Sequence, residues 1–245
     1  MYKALIVIAS YLFSMNTLAG SMGAHKVVED WLAVITVAGG PAWTNPGRTQ
    51  ILYPSFPDQS QHFTPEISST SIGVGAITFS LQHALSPEVF GQLGVGVSVA
   101  SDVQVRGILG INDATGVALY QYQVAPVRAE LKGKLIYAGH YLVQPYLSSG
   151  IGLGLTHSYH YKTIILDEAY NTLSLFKDHS DTTFAYSVGA GLQKNITQAW
   201  QLGLGYEFAD WGANNLGGDG KSLAQGPGSP HLYTHELLIS VSYLF

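Results

Sequence analysis

The chain has 245 residues, 47% of them hydrophobic and 11% charged, with no cysteine and a formal net charge of −5. Disulfides, thiolate metal sites and cysteine nucleophiles are therefore excluded, and an acidic balance without a basic run leaves no electrostatic footprint for nucleic acid. The charge density is low for a water-soluble domain, yet no apolar run beyond the N-terminal segment approaches the roughly 18–20 residues of a membrane helix.

The N-terminus reads as an export signal. Lys3 supplies the positive charge, residues 4–13 an apolar core too short to span a bilayer, and Asn16-Thr17-Leu18-Ala19 a small-residue cleavage context. The cut is placed after residue 19, with positions up to 24 as alternatives, which assigns 1–19 to a signal peptide and 25–245 to one barrel domain.

Eight segments of two-residue periodicity follow: 31–40, 70–81, 89–102, 122–137, 142–157, 182–193, 200–211 and 233–245. The longest apolar stretch outside the N-terminal segment, Trp31 to Trp43, is broken by Gly39, Gly40 and Pro41. Their connections alternate in length. Short turns at 83–87, 138–141 and 194–199 take turns with stretches of roughly twenty to thirty residues rich in Pro, Gly, Asn, Asp and Ser. This pattern predicts an all-β, eight-stranded, antiparallel up-and-down transmembrane barrel with four long outer loops and three short periplasmic turns. An even strand count puts both termini on the periplasmic side and the loops outside the cell.

Parity divides each strand into two faces. Leu93, Val95, Val97 and Val99 oppose Gln92, Gly94, Gly96 and Ser98, and Leu202, Leu204, Tyr206 and Phe208 oppose Gln201, Gly203, Gly205 and Glu207. The second set is too small and polar for a dry core, so the apolar set is predicted to face lipid. Gly73, Gly75, Gly94, Gly96, Gly150, Gly152, Gly154, Gly189, Gly191, Gly203 and Gly205 are all assigned to the lumen side, either to let a narrow wall curve or to line a passage.

Arg128, Glu130, Lys132 and Lys134 share one parity and alternate with Val127, Ala129, Leu131, Gly133 and Leu135. Charge on a lipid face costs roughly 2–4 kcal/mol near the midplane, so this row is predicted to point inward. Glu207 and Glu236 carry inward parity as well. Arg128 is expected to pair with one or both of them and Glu130 to be shared with Lys132, as a structural polar core or as a selectivity constriction. Two aromatic girdles are predicted, Trp200, Tyr137, Tyr141, Tyr243 and Phe245 at the turn end and Trp43, Tyr122, Phe184, Phe208, Trp211 and Tyr233 at the loop end.

The last strand alternates Leu237, Ile239, Val241, Tyr243 and Phe245 with polar or small positions. With the eight strands and the loop alternation, this ending resembles the small outer-membrane barrels of Gram-negative bacteria, the OmpA-type transmembrane barrel and the opacity-like surface antigens. In those families the C-terminal aromatic and the apolar residues two, four and six places before it are read by the barrel-assembly machinery. The resemblance assigns that signal to Phe245, Tyr243, Val241 and Ile239, the location to the cell outer membrane, and the partners to outer-membrane lipid, lipopolysaccharide and a possible host or surface ligand at the loops. It implies a monomer and, with nothing after Phe245, no peptidoglycan-binding domain.

The chain has nine histidines, some of them in arrangements that bear on chemistry. His157-Ser158 with Asp181 could form a nucleophile–base–acid set, but the spacing departs from the His-x-Ser element of lipid A deacylase barrels. His157, His160 and His179 could hold zinc or copper, without a zinc-motif spacing. No catalytic residue, metal or cofactor is assigned. The preferred role is structural or surface interaction with the lumen plugged by charged side chains. The alternatives are a narrow channel or carrier for small or hydrophobic solutes and, last, a lipid A-modifying enzyme.

Overall fold

A computed structural model describes residues 31–44, 47–53, 60–66, 70–112, 114–139, 142–167, 175–220 and 223–245. The proposed signal peptide lies outside these residues. The described residues form strands and no helix: β1 (Leu32–Thr44), β2 (Gln50–Leu52), β3 (Gln61–Pro65), β4 (Thr70–Ser86), β5 (Val89–Ala100), β6 (Val103–Ile111) and β7 (Ala114–Tyr137). They continue with β8 (Gln144–Ile165), β9 (His179–Asn195), β10 (Trp200–Asp210), β11 (Asn214–Gly217), β12 (Gln225–Ser229) and β13 (Tyr233–Leu244).

Eight of these strands make a closed antiparallel ring in the order β1, β4, β5, β7, β8, β9, β10, β13, with β13 returning to β1. The eight predicted segments are these eight strands. Closure sets Val37 opposite Val241 and Thr44 opposite Thr234. It ends with a reciprocal backbone pair in which Ala33 N–H donates to the Phe245 carbonyl at 3.0 Å and Phe245 N–H to the Ala33 carbonyl at 2.9 Å. A closed ring leaves no sheet edge, which is what an apolar solvent demands of a spanning sheet.

The large apolar residues stand outside. Leu131 and its register partners Val95 and Ile151 form a row across β5, β7 and β8 and are 49%, 60% and 58% exposed. Ser98, Ser187, Gln193, Gln201 and Ser242 are buried on the opposite face. Such an inverted molecule has its stable home in hydrocarbon.

Two of the glycines assigned to the lumen depart from the prediction. On β4, Ile77, Phe79 and Leu81 are exposed while Ile72 and Val74 are buried, so Gly73 and Gly75 face outward. A Cβ at either would meet nothing within 4 Å. At Gly94, Gly152 and Gly154 it would run into the backbone of Phe79, Ala129 and Trp211. The parity differs because the ring interior at the loop end is apolar, so β4 turns its isoleucine and valine inward there.

The predicted loops also hold more structure than their composition indicates. β7 and β8 run eight residues past their predicted loop-end limits of 122 and 157. β6, β3 and β2 add to the edge of β7 in turn, extending the sheet beyond the ring. A separate β11–β12 hairpin touches Lys177 through Gly217. Together they enclose an apolar core that includes Phe63, Leu109, Tyr120, Phe176, Leu216 and Leu232. The Phe63 ring lies 5.2 Å from Tyr120 and 5.8 Å from Phe176 in edge-on contacts. Fully burying each such side chain contributes about 1.5–3 kcal/mol, which holds these segments down.

In vesicles, Leu131→Arg is expected to lower unfolding free energy by about 2–4 kcal/mol, because it puts a cation at mid-wall. Gly73→Ala is expected to stay within about 0.5 kcal/mol of the parent and Gly152→Ala to lose more than about 1 kcal/mol. Denaturant titration followed by tryptophan fluorescence reads all three.

Candidate functional site

Strand alternation places Arg128, Glu130, Lys132 and Lys134 in a column down the inside of β7. Their register neighbours make room for them. Glu130 sits between Gly96 and Gly152, Lys132 between Gly94 and Gly150, and Arg128 between Ser98 and Gly154. Long side chains crossing a narrow lumen need these empty flanks, which is the structural use of most of the inward glycines.

Across the ring, Glu207 of β10 and Glu236 of β13 are register partners. Two carboxylates opposed on adjacent strands repel each other unless a cation lies between them. Arg128 occupies that position. Its Nη2 donates to Glu207 Oε1 at 2.7 Å, its Nε lies 2.9 Å from Glu130 Oε2, and its Nη1 lies 3.9 Å from Glu236 Oε1. Lys132 Nζ donates to both Glu207 oxygens at 2.8 and 2.9 Å and lies 3.7 Å from Glu130. Arg128 is 1% exposed and Glu236 not at all, so the five groups form one desolvated cluster and not a set of surface pairs.

Lys134 does not join these carboxylates. Its Nζ donates to Gln193 Oε1 and rests 4.0 Å from the centre of the Tyr146 ring. It belongs to a glutamine layer at the turn end, where Gln92 Nε2 donates to Gln82 at 2.8 Å and Gln193 Nε2 approaches Gln144 and Gln201 at 3.3 and 3.4 Å. Between the glutamines and the charged cluster lies a cavity of about 100 Å³, bordered by Lys132, Lys134, Tyr146, Ser80 and Ser240.

Trp211 is the residue that sequence reasoning misplaced most. It was assigned to the loop-end girdle, but it is fully buried inside the ring. Its ring centre is 4.5 Å from the Arg128 guanidinium carbon, and its Nε1 donates to Thr234 at 2.8 Å and Glu236 at 3.2 Å. One face thus meets the charges while the residue joins the apolar core. Tyr122 is likewise buried in that core, against the same prediction. The available signal was parity, since Trp211 is odd-numbered like the inward Gln201, Glu207 and Ala209 of β10.

The remaining girdle residues divide by position. Trp43, Phe184 and Tyr233 are exposed at the loop end and Trp200, Tyr137, Tyr243 and Phe245 at the turn end, while Phe208 is half-buried and Tyr141 lies outside the described residues. Ile239, Val241, Tyr243 and Phe245 form one exposed row on the outer face of the closing strand.

The histidines are dispersed. His157 is exposed and its Nδ1 meets Ser180 Oγ at 2.9 Å, whereas Ser158 is buried on the other face, so the two neighbours do not pair. Asp181 accepts from the Asn215 backbone at 2.6 Å and lies 3.5 Å from His179. His160 faces Gln123. Among the described residues no three histidine or carboxylate side chains converge on a metal position. In the loop-end core, burial pushes the Tyr161 phenol up to about 12, so it remains neutral there.

A family model for the outer membrane protein beta-barrel domain matches residues 32–245. Among solved structures, the chain is similar to Neisserial surface protein A at 12% identity, over 89% of this chain and all of that one, with a TM-score of 0.44. It is similar to OprG from Pseudomonas aeruginosa at 12% identity, over 87% and 96%, with a TM-score of 0.40. For Ail of Yersinia pestis the values are 11%, 89% and 100%, with a TM-score of 0.39. No curated protein matches the sequence.

Removing Arg128 leaves Glu130, Glu207 and Glu236 buried with one cation among them. Arg128→Ala is expected to cost about 3–5 kcal/mol, the range for breaking a buried ion pair from one side. Arg128→Met combined with Glu207→Gln is expected to recover part of that loss. Unfolding free energies of the parent, single and double variants make the comparison.

Proposed function

The chain belongs to the outer membrane protein beta-barrel domain family, whose home is the Gram-negative outer membrane, and from that premise we propose that it is a barrel closed to solute flow that works by contact at the cell surface. The observation that carries this reading is the desolvated cluster of Arg128, Glu130, Lys132, Glu207 and Glu236 lying across the interior with Trp211 stacked on it. A permeating ion has to separate charges held at 2.7–2.9 Å and then pass an apolar core, which is a high barrier.

The outward apolar row on β7 runs from Tyr137 to Val127. At about 3.3 Å per residue and a tilt near 40°, it spans about 25 Å, the height of the lipid-facing band in such barrels. The sheet formed by β2, β3, β6 and the far halves of β7 and β8 lies past that band. We place it outside the cell, with the short turns and both ends of the barrel in the periplasm. The exposed row Ile239, Val241, Tyr243 and Phe245 is the stretch we assign to the assembly machinery. Lipopolysaccharide surrounds the wall, and a host or surface ligand meets the loop-end sheet.

A channel reading has one observation in its favour, the cavity of about 100 Å³ on the turn side of the charges. Single-channel recording separates the two. The parent protein is expected to show no openings above the bare bilayer, and regular unitary steps would discard the closed-barrel reading. Orientation has its own test on intact cells with a membrane-impermeant amine reagent. Lys162, exposed at the loop end, is expected to be modified and Lys194, exposed at the turn end, to be spared; the reverse pattern inverts the assignment.

A further inference from the structure

The outer face of the loop-end sheet carries a groove of about 630 Å³, within the usual range for a small-molecule site. Two register rows cross it. One is Arg106, Gln121 and Lys162, and the other is Ile108, Leu119 and Ile164. All three apolar side chains are exposed, Ile164 at 60%.

Lipid does not account for this apolar row. On β7 the belt ends near Val127, the polar Gln123 and Gln121 follow, and Leu119 stands eight residues farther along the strand. At about 3.3 Å per residue and a tilt near 40°, that is about 20 Å past the hydrocarbon. An exposed apolar surface in water, rimmed by polar groups, marks an interaction site.

The charges specify its occupant. Arg106 spends one N–H on Gln104 at 2.7 Å. Among the described residues, neither it nor Lys162 has a carboxylate within ion-pairing distance. Both flank Gln121, so their Cα atoms are separated by two strand spacings, about 10 Å. Side chains of their length close over that gap and bring two cations to one anionic group. Glu66 lines the groove beside Arg106 and donates its backbone N–H to the Arg106 carbonyl at 2.8 Å. It bounds the cationic row on that side and disfavours a second negative charge. The backbone groups of β6 and β7 are spent on each other and on β3 and β8, so recognition falls to side chains.

We propose that this groove binds an amphiphile with a single anionic headgroup, held by Arg106 and Lys162, and an alkyl chain laid over Ile108, Leu119 and Ile164. The proposal rests on the reading that the loop-end sheet lies outside the bilayer. The occupant is a free fatty acid, because a phospholipid of the leaflet keeps its acyl chains in hydrocarbon about 20 Å away, and the test has an arm for the phospholipid.

The test uses the full chain in nonionic micelles and in nanodiscs, with hexadecanoate carrying a diazirine on its alkyl chain and adducts mapped by mass spectrometry. Adducts are expected around Leu119 and Ile164 in both settings, and dodecanoate is expected to suppress them. The paired substitution Arg106→Gln and Lys162→Gln is expected to reduce them about tenfold while leaving adducts on belt residues such as Leu131 and Ile151 unchanged. Both positions are exposed, and an unchanged heat-dependent gel shift confirms that the variant is folded. Adducts in micelles that vanish when nanodiscs supply anionic phospholipid assign the groove to bilayer lipid and overturn the free fatty acid as its occupant. Adducts confined to the belt, or groove adducts indifferent to the paired substitution, overturn the proposal. Suppression by inorganic phosphate alone, at the concentration of dodecanoate that suffices, also overturns it by removing the tail. If Lys162 is unlabelled on intact cells while groove adducts persist, the orientation fails and the site stands.

Discussion

Everything in this molecule depends on the backbone pairing of β13 with β1. That ladder removes the last free sheet edge, and in a hydrocarbon solvent an open row of peptide groups costs several kcal/mol for each one left unpaired. Once eight strands must close, the ring is narrow and its curvature is set. The outside is free to be apolar, as the exposed row from Ile239 to Phe245 illustrates. The inside can hold only a few long side chains, and only where their neighbours are small. The glycine flanks of Glu130 and Lys132 are a direct consequence of that geometry.

Inside, electrostatics and apolar packing are stacked in layers. Glutamines and Lys134 occupy the turn end, the Arg128 cluster the middle, and the core around Phe63 and Phe176 the loop end. Each layer satisfies the one beside it. Lys132 links the cavity wall to Glu207, and Trp211 presents its ring to Arg128 and its N–H to Glu236 while it packs with apolar neighbours. The opposed carboxylates Glu207 and Glu236 make the arginine obligatory, because without it two like charges share a dry site. The same features that would hold the interior shut therefore also hold it together.

Strand positions and the identity of the two faces were readable from period-two alternation alone, because a wall one residue thick leaves every side chain either in or out. The charged column on β7 was readable for the same reason. What misled was the loop end. There the interior is apolar, so the rule that small and polar residues point inward reverses, and Gly73, Gly75, Tyr122 and Trp211 fall on the faces opposite to their assignment. The segments recruited into the loop-end sheet did carry alternation, as Val103, Val105, Leu109 and Ile111 show. Their shortness and the surrounding glycines and prolines hid it.

The sequence by itself determined the strand count, the inside-out polarity and which charges share the inner face, since all three follow from local spacing and the cost of charge in lipid. Only the tertiary structure decided which carboxylate meets which cation, that Lys134 turns to Gln193 instead, and that two basic residues far apart in sequence flank one glutamine on the loop-end sheet. Those outcomes depend on strand register around a closed ring, and register is a property of the whole circle of hydrogen bonds that no single strand contains.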